Sequence, residues 1–223
     1  MIYLSENDVF LFQGDSITHG GRVQSEWDMN HIIGHGFQAA LAGRMSFENF
    51  ERSPVILNRG VSGDTTQKLL ARWDTDTLAL KPTILNILIG INDSYQLGDD
   101  AADIYRDNLK KLLDMTYEAL PGVRIIICEP FAFERVSYDS DEHRETILRN
   151  IEKCRGCAAA AKELAEKYNA LFVPFFSEME KYVRTGRPAQ VVWDGAHPTY
   201  TGHEIMARFW YDTVDRSGLL SRN

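Results

Sequence analysis

The sequence predicts an α/β fold: a parallel sheet of five strands held between two layers of helices, a three-layer α/β/α sandwich. Three observations carry the prediction. Five short apolar runs rich in β-branched and aromatic residues are spread along the chain, helical patterns separate them, and the chemically suggestive motifs follow the runs. Strands covered on both faces read as near-continuous apolar blocks, and strands joined through helices come out parallel.

The first run, residues 9–13, reads VFLFQ and meets Gly14. After an irregular stretch at 19–35, the helical pattern at 37–45 leads to the second run, Val55–Asn58. Residues 65–79 have helical composition, and Asp64-Thr65-Thr66-Gln67 has the spacing of a capping box at their start. Lys81-Pro82 marks a turn into the third run, 83–89, and Pro121-Gly122 another between a helix at 102–119 and the fourth run, Arg124–Cys128. A second irregular stretch, 131–141, precedes the longest helical pattern, 144–168, and the fifth run, 170–173. The closing helix is predicted over 201–215, where Thr201-Gly202-His203-Glu204 again has capping-box spacing. Open parallel sheets bind ligands outside the carboxyl ends of their strands, so the two irregular stretches are expected to shape a substrate crevice.

A chain of 223 residues with 44% hydrophobic residues can bury a full core as one domain, 1–223. Lys and Arg total 24 against 32 Asp and Glu, and the net charge of −8 gives no reason to expect nucleic acid as a partner. The N-terminal segment lacks the pattern of a secretory leader, and no apolar run approaches membrane-spanning length. The chain therefore reads as soluble and cytoplasmic, with no membrane partner. Three cysteines suit a reducing compartment. Cys154 and Cys157 form a C-x-x-C inside helical composition and are expected to be ordinary helix residues.

Gly14-Asp15-Ser16 follows the first run, and Ser16 has two readings there: a helix cap or a nucleophile. A nucleophilic serine needs a base, an acid and oxyanion donors. Asp194 and His197 are separated by Gly195 and Ala196, so a tight turn can bring carboxylate to imidazole and leave the other ring nitrogen for the Ser16 proton. Gly63 precedes a helix start at Asp64 or Thr65, and Asn92 follows the third run. A glycine N–H and an asparagine amide, with the N–H of Ser16, could make a three-donor oxyanion hole. Taken singly, each has a bland reading: a turn glycine, a loop-capping asparagine, a local acid–histidine turn.

GDSI, GVSGDT, GIND and DGAHP, in this order and over nearly the whole chain, resemble the four sequence blocks of the SGNH hydrolases, also called the GDSL esterase/lipase family. The resemblance implies that Ser16 is the nucleophile, that Gly63 and Asn92 are oxyanion donors with Ser16, that His197 is the base and that Asp194 orients it. It implies a flavodoxin-like fold. The first block reads GDSI where the family has GDSL, an apolar exchange that touches no role. The G-x-S-x-G elbow of the α/β-hydrolases is absent around Ser16.

Within the family, GDSITHGGR, NRGVSGDTTQKLLARW, LIGIND and VWDGAHPTYTGH are most similar to carbohydrate acetylesterases, acetyl-xylooligosaccharide esterases in particular. This implies a serine esterase that removes acetyl or other short acyl groups from a soluble saccharide through an acyl-enzyme on Ser16. The alternative is a short-chain lipid, lysophospholipid or acyl-thioester hydrolase; a non-enzymatic binding module would not need the five-residue constellation. Neither metal nor organic cofactor is called for. Related small esterases assemble, so a homo-oligomer is implied too, with no interface legible. Trp193 and Tyr95, with Trp27 behind them, are candidates for an aromatic wall against the substrate. His31 and His35, four apart, lack the glutamate of a zincin helix and read as packing or surface residues; His19 and His203 carry no assignment.

Overall fold

The computed structural model describes residues 1–221 of the protein apart from Glu26, Val136 and Gly186. Both faces of the sheet are covered, which is why its strands are apolar at consecutive positions. In Val9–Gly14 (β1), Phe10 and Phe12 enter one core with Phe37 and Trp210, while Leu11 enters the other with Leu85, Ile87 and Leu109. Val55–Asn58 (β2), Ile84–Leu88 (β3), Arg124–Cys128 (β4) and Leu171–Val173 (β5) complete the sheet. All pairings are parallel, in the order β2-β1-β3-β4-β5. This is the flavodoxin-like order, whose switch point lies between β1 and β3. Phe10 pairs with Ile84 and Gly14 with Leu88, so β1 and β3 end level with one another.

The helices are Ser16–His19 (α1), Phe37–Glu48 (α2), Thr66–Ala71 (α3), Trp73–Asp76 (α4), Ile91–Gln96 (α5), Ala101–Ala119 (α6), Asp141–Lys167 (α7), Phe175–Val183 (α8) and Tyr200–Ser217 (α9). One face of the sheet carries α2, α8 and α9 over a core with Phe175 and Met206; the other carries α3, α6 and α7 over Trp73, Tyr105 and Leu164. The sandwich is therefore the three-layer α/β/α arrangement expected.

Four local expectations change. The helix predicted over 65–79 breaks at Arg72, which leaves helical geometry (φ −114°, ψ 9°). Its guanidinium is held by Asp64 and the Arg59 carbonyl, and the turn sends Trp73 into the core to donate to Thr116 Oγ1 at 3.0 Å. The cap of α3 is Thr65, whose side chain accepts from the Lys68 N–H, because the Asp64 carboxylate is engaged by Arg72 at 2.7 Å. The cap of α9 is Thr199, whose Oγ1 accepts from Gly202 at 3.2 Å and donates to the Gln190 carbonyl. Finally, α8 follows β5 where the sequence predicts no helix: Pro174 ends the strand geometry, and Phe175 and Phe176 turn into the core from a helix.

Candidate active site

The carboxyl ends of β1, β2 and β3 meet at one edge, and each turn there is built around a backbone requirement. A Cβ on Gly14 would stand 2.1 Å from the Leu88 carbonyl oxygen, so only glycine lets β1 pass this close to β3. The next residue, Asp15, is the cap: its Oδ1 accepts from the Ile17 N–H at 3.0 Å. Ser16 is thus the first helical residue of α1, and the capping role belongs to its neighbour.

The Asp194–His197 turn lies 181 residues from Ser16 in sequence and against it in space. Ser16 Oγ is 2.8 Å from His197 Nε2, and His197 Nδ1 is 2.7 Å from Asp194 Oδ2. The other carboxylate oxygen, Oδ1, accepts from the backbone N–H groups of Ala196 and His197 at 3.0 and 2.7 Å. Gly195 sits at φ +86°, where a side chain would strain the backbone and its Cβ would meet the Phe133 carbonyl at 2.5 Å. Phe133 N–H donates to the Gly195 carbonyl at 2.8 Å, so the segment after β4 clasps the turn from behind.

The electrostatics follow from these bonds. Burial by itself would raise the Asp194 carboxyl, but the His197 ring and the two backbone donors outweigh it and bring it down to about 2. The bond to Asp194 raises the His197 imidazole above its ordinary value against the pull of burial, and Asp15 adds to the rise. A serine hydroxyl on one ring nitrogen and a carboxylate on the other is an arrangement able to move the hydroxyl proton.

Asn92 and Gly63 stand at the ends of β3 and β2. Asn92 Nδ2 donates to the Asp64 carbonyl at 2.9 Å, which fixes the amide and leaves it a second hydrogen to donate. Gly63 is at φ +82°, its carbonyl takes Lys68 Nζ at 2.9 Å, and no atom lies within 4 Å of where its Cβ would be. Asp93, beside Asn92, accepts from the Thr66 N–H at 3.0 Å and from the Thr66 hydroxyl, and so ties the turn after β3 to the helix after β2. Burial raises the Asp93 carboxyl, and the Thr66 bonds oppose the rise.

A cavity of about 310 Å³ opens beside Ser16 and His197, with Gly20, His35, Trp193 and His203 among its walls. The stretch 19–35 therefore shapes it, as expected, through the residues described there. The stretch 131–141 does so indirectly, through Phe133 behind Gly195. Trp193 is 64% exposed, its ring centroid 6.4 Å from that of His197 and its plane 27° from parallel. Tyr95 does not share this cavity: it packs against the cluster of Ile91, Ile147 and Cys154. Trp27 is 94% exposed. His203 and His35 line the cavity although the sequence by itself gives them no role there. The signal for His203 was only its place six residues after His197, which a turn and one helical turn convert into proximity.

Other candidates resolve simply. His31 Nδ1 pairs with Asp28 at 2.8 Å on the surface, and among the described residues no three metal-ligating side chains cluster. Cys154 and Cys157 are free and buried in α7, and burial raises both thiols. No helix among the described residues is long and apolar enough to cross a membrane. A larger hollow of about 820 Å³ is bounded in part by Ala132, Phe133 and Glu134 of the stretch 131–141 together with Leu148, Lys153 and Val183, and none of the candidate catalytic, oxyanion or aromatic residues lines it.

Residues 12–205 match the GDSL-like lipase/acylhydrolase family. The chain is 32% identical over 226 residues to an acetylxylan esterase of Geobacillus stearothermophilus, covering 98% of this chain and 99% of that one. A crystal structure of an acetylxylan esterase from the same organism superposes with a TM-score of 0.76 at 30% identity, covering 96% of each chain. A crystal structure from Parabacteroides merdae ATCC 43184, described as a candidate GDSL-like lipase, gives a TM-score of 0.85 at 32% identity over 98% of this chain and 99% of that one. Solved catalytic mutants of the Geobacillus esterase replace a serine in one case and an aspartate in the other.

Proposed function

The chain belongs to the GDSL-like lipase/acylhydrolase family, and from that premise we propose that it is a serine esterase that removes short acyl groups, acetyl above all, from a soluble saccharide. The single observation that carries the mechanism is the hydrogen-bonded series from Ser16 Oγ through His197 to Asp194. The 32% identity to an acetylxylan esterase supports the acetylated sugar.

In this reading His197 Nε2 takes the Ser16 proton as Oγ attacks the ester carbonyl, and Asp194 holds the ring in the tautomer that can accept it. The negative charge on the tetrahedral carbonyl oxygen is met by the N–H groups of Ser16 and Gly63 and by Asn92 Nδ2, and each such donor is worth about 2.7–4 kcal/mol in the transition state. The imidazolium returns its proton to the departing alcohol, which leaves an acetyl group on Oγ. Water, deprotonated by His197, then attacks that ester, and acetate departs as Ser16 recovers its proton.

We also read residues 1–223 as one domain, a reading supported by the bond from the Tyr3 N–H to the Leu220 carbonyl at 2.8 Å. A cytoplasmic location is part of the proposal and is supported by three free, buried thiols. So is a homo-oligomer, for which the exposed Val55 of the edge strand β2 and the exposed Phe47 and Phe50 that precede it in the chain offer apolar surface; sedimentation velocity decides it.

The test pairs p-nitrophenyl acetate with the octanoate and follows acetate release from peracetylated xylose oligosaccharides. Wild type is expected to release acetate from the sugar with little octanoate turnover, and Ser16→Ala to lose at least about 10³-fold in kcat on each substrate. Faster octanoate turnover without sugar deacetylation replaces the substrate with a lipid or thioester and keeps the mechanism. Full activity in Ser16→Ala removes the mechanism.

A further inference from the structure

The cavity beside Ser16 is one-sided. Ser16, His197, Trp193, His35 and His203 line it, whereas Gly63 and Asn92 do not. In acyl transfer by a serine and a histidine the leaving oxygen takes its proton from the imidazolium, so the departing alcohol lies on the histidine side of the attacking oxygen. The cavity is therefore on the alcohol side, and its walls meet the sugar rather than the acetyl oxyanion.

His203 is the unusual member of that wall. It stands in the first turn of α9, half-buried, and its Nδ1 accepts the backbone N–H of Phe37 at 3.1 Å. That N–H is the first of α2, whose cap, Gly36, has no side chain to satisfy it. An imidazole that accepts at Nδ1 and is neutral carries its proton on Nε2. Among the described residues Nε2 has no hydrogen-bond partner. Burial, with the neighbouring His35 and His197, lowers the imidazole to about 4, so the ring stays uncharged across the working range of an esterase.

We propose that His203 is a specificity residue, its Nε2–H donating to an oxygen of the saccharide leaving group while the sugar lies against Trp193. The inference rests on the saccharide reading above. A neutral donor suits this position because a cation next to His197 would oppose the imidazolium that forms during turnover. The Phe37 N–H sets the direction of the donor, since it holds the ring by its far nitrogen.

The plain competitor is that His203 only caps α2. His203→Asn separates the two roles: the asparagine oxygen stands where Nδ1 accepts, and nothing stands at Nε2. His203→Gln is the partner variant, with its amide near Nε2. For His203→Asn we expect kcat/KM for acetate release from peracetylated xylose oligosaccharides to fall about tenfold, the worth of one hydrogen bond. Turnover of phenyl acetate, whose leaving group has no further oxygen, and the Tm should stay at wild-type levels, and His203→Gln should recover part of the sugar activity.

Unchanged sugar activity in His203→Asn overturns the inference and leaves the saccharide reading standing. Equal losses on both substrates, or a lowered Tm that accounts for them, make the residue a cap and also overturn it. A wild type that cleaves phenyl acetate but no acetylated sugar defeats the saccharide reading itself, and this inference falls with it.

Discussion

Asp15, the residue before Ser16, and His197, its hydrogen-bond partner, have opposite electrostatic problems. Asp15 is fully enclosed: burial raises its carboxyl to about 7, against the bond from the Ile17 N–H and the attraction of His197, while Asp93 and Asp64 push it further up. A carboxyl bound more tightly to its proton in the folded chain than in the unfolded one supports folding fully below 3.8 and loses that support as pH rises through about 7. Asp15→Asn keeps the oxygen that caps α1 and has no charge to bury. Its Tm should equal wild type below pH 3.8, rise above it from there to pH 7, and keep a constant lead beyond; a lead that shrinks with rising pH contradicts the assignment. For His197 the sign runs the other way in activity. In the proposed mechanism the base must be unprotonated, and Asp194 raises the His197 imidazole above its ordinary 6.5, so kcat/KM for p-nitrophenyl acetate should fall on the acid side with a midpoint above 6.5. Asp194→Asn removes the cause of the rise and should move that midpoint to lower pH, while kcat falls on the order of 10⁴, as in the serine-protease template. A midpoint that stays put in the variant separates Asp194 from the base.

The turns at the strand ends are held to one another by buried polar bonds that no local pattern announces. Asp93 on α5 binds Thr66 on α3, Asn108 on α6 donates to the Thr66 hydroxyl at 3.2 Å, and Asn92 reaches the Asp64 carbonyl. The element that bears Asn92 and the element that follows Gly63 are thus tied directly to one another. Thr66→Val keeps the shape and removes the hydroxyl, leaving a buried carboxylate and a buried amide short of a partner. The loss should be about 1–3 kcal/mol in urea denaturation. If this tie sets the oxyanion donors, kcat should fall with little change in KM; lost stability at full kcat would confine the clamp to folding.

The molecule as a whole has its two large cores on opposite faces of one sheet, and the candidate active site lies at the carboxyl edge of the sheet between them. Leu109 is fully buried on α6 with Leu11, Ile87 and Tyr105 on the face opposite α2 and α9. Leu109→Ala should cost about 2–5 kcal/mol of stability, the usual range for a buried leucine. Activity per folded molecule should remain that of wild type, because no member of the Ser16–His197–Asp194 series packs in this core. A fall in activity that outlasts correction for the unfolded fraction would mean that the core and the edge are coupled.

Strand positions were legible because burial on both faces writes a continuous apolar run. Two of the five, Val55–Asn58 and Arg124–Cys128, agree to the residue with the structure. That Ser16, Gly63 and Asn92 follow the carboxyl ends of β1, β2 and β3 was legible too, since every parallel strand ends on the same side and the motifs follow the strand ends. The break at Arg72, the caps at Thr65 and Thr199, Tyr95 turned away into a cluster with Cys154, and His203 turned into the cavity were not. Those depend on partners far away in sequence. Arg72 bends the chain for Asp64 and Trp73 for Thr116, while His203 is aimed by an amide 166 residues earlier, at Phe37. Periodicity and motif order are properties of neighbours along the chain and so determined the fold and which residues are candidates for the chemistry; the direction of each side chain is decided by contacts that exist only once the sheet has formed.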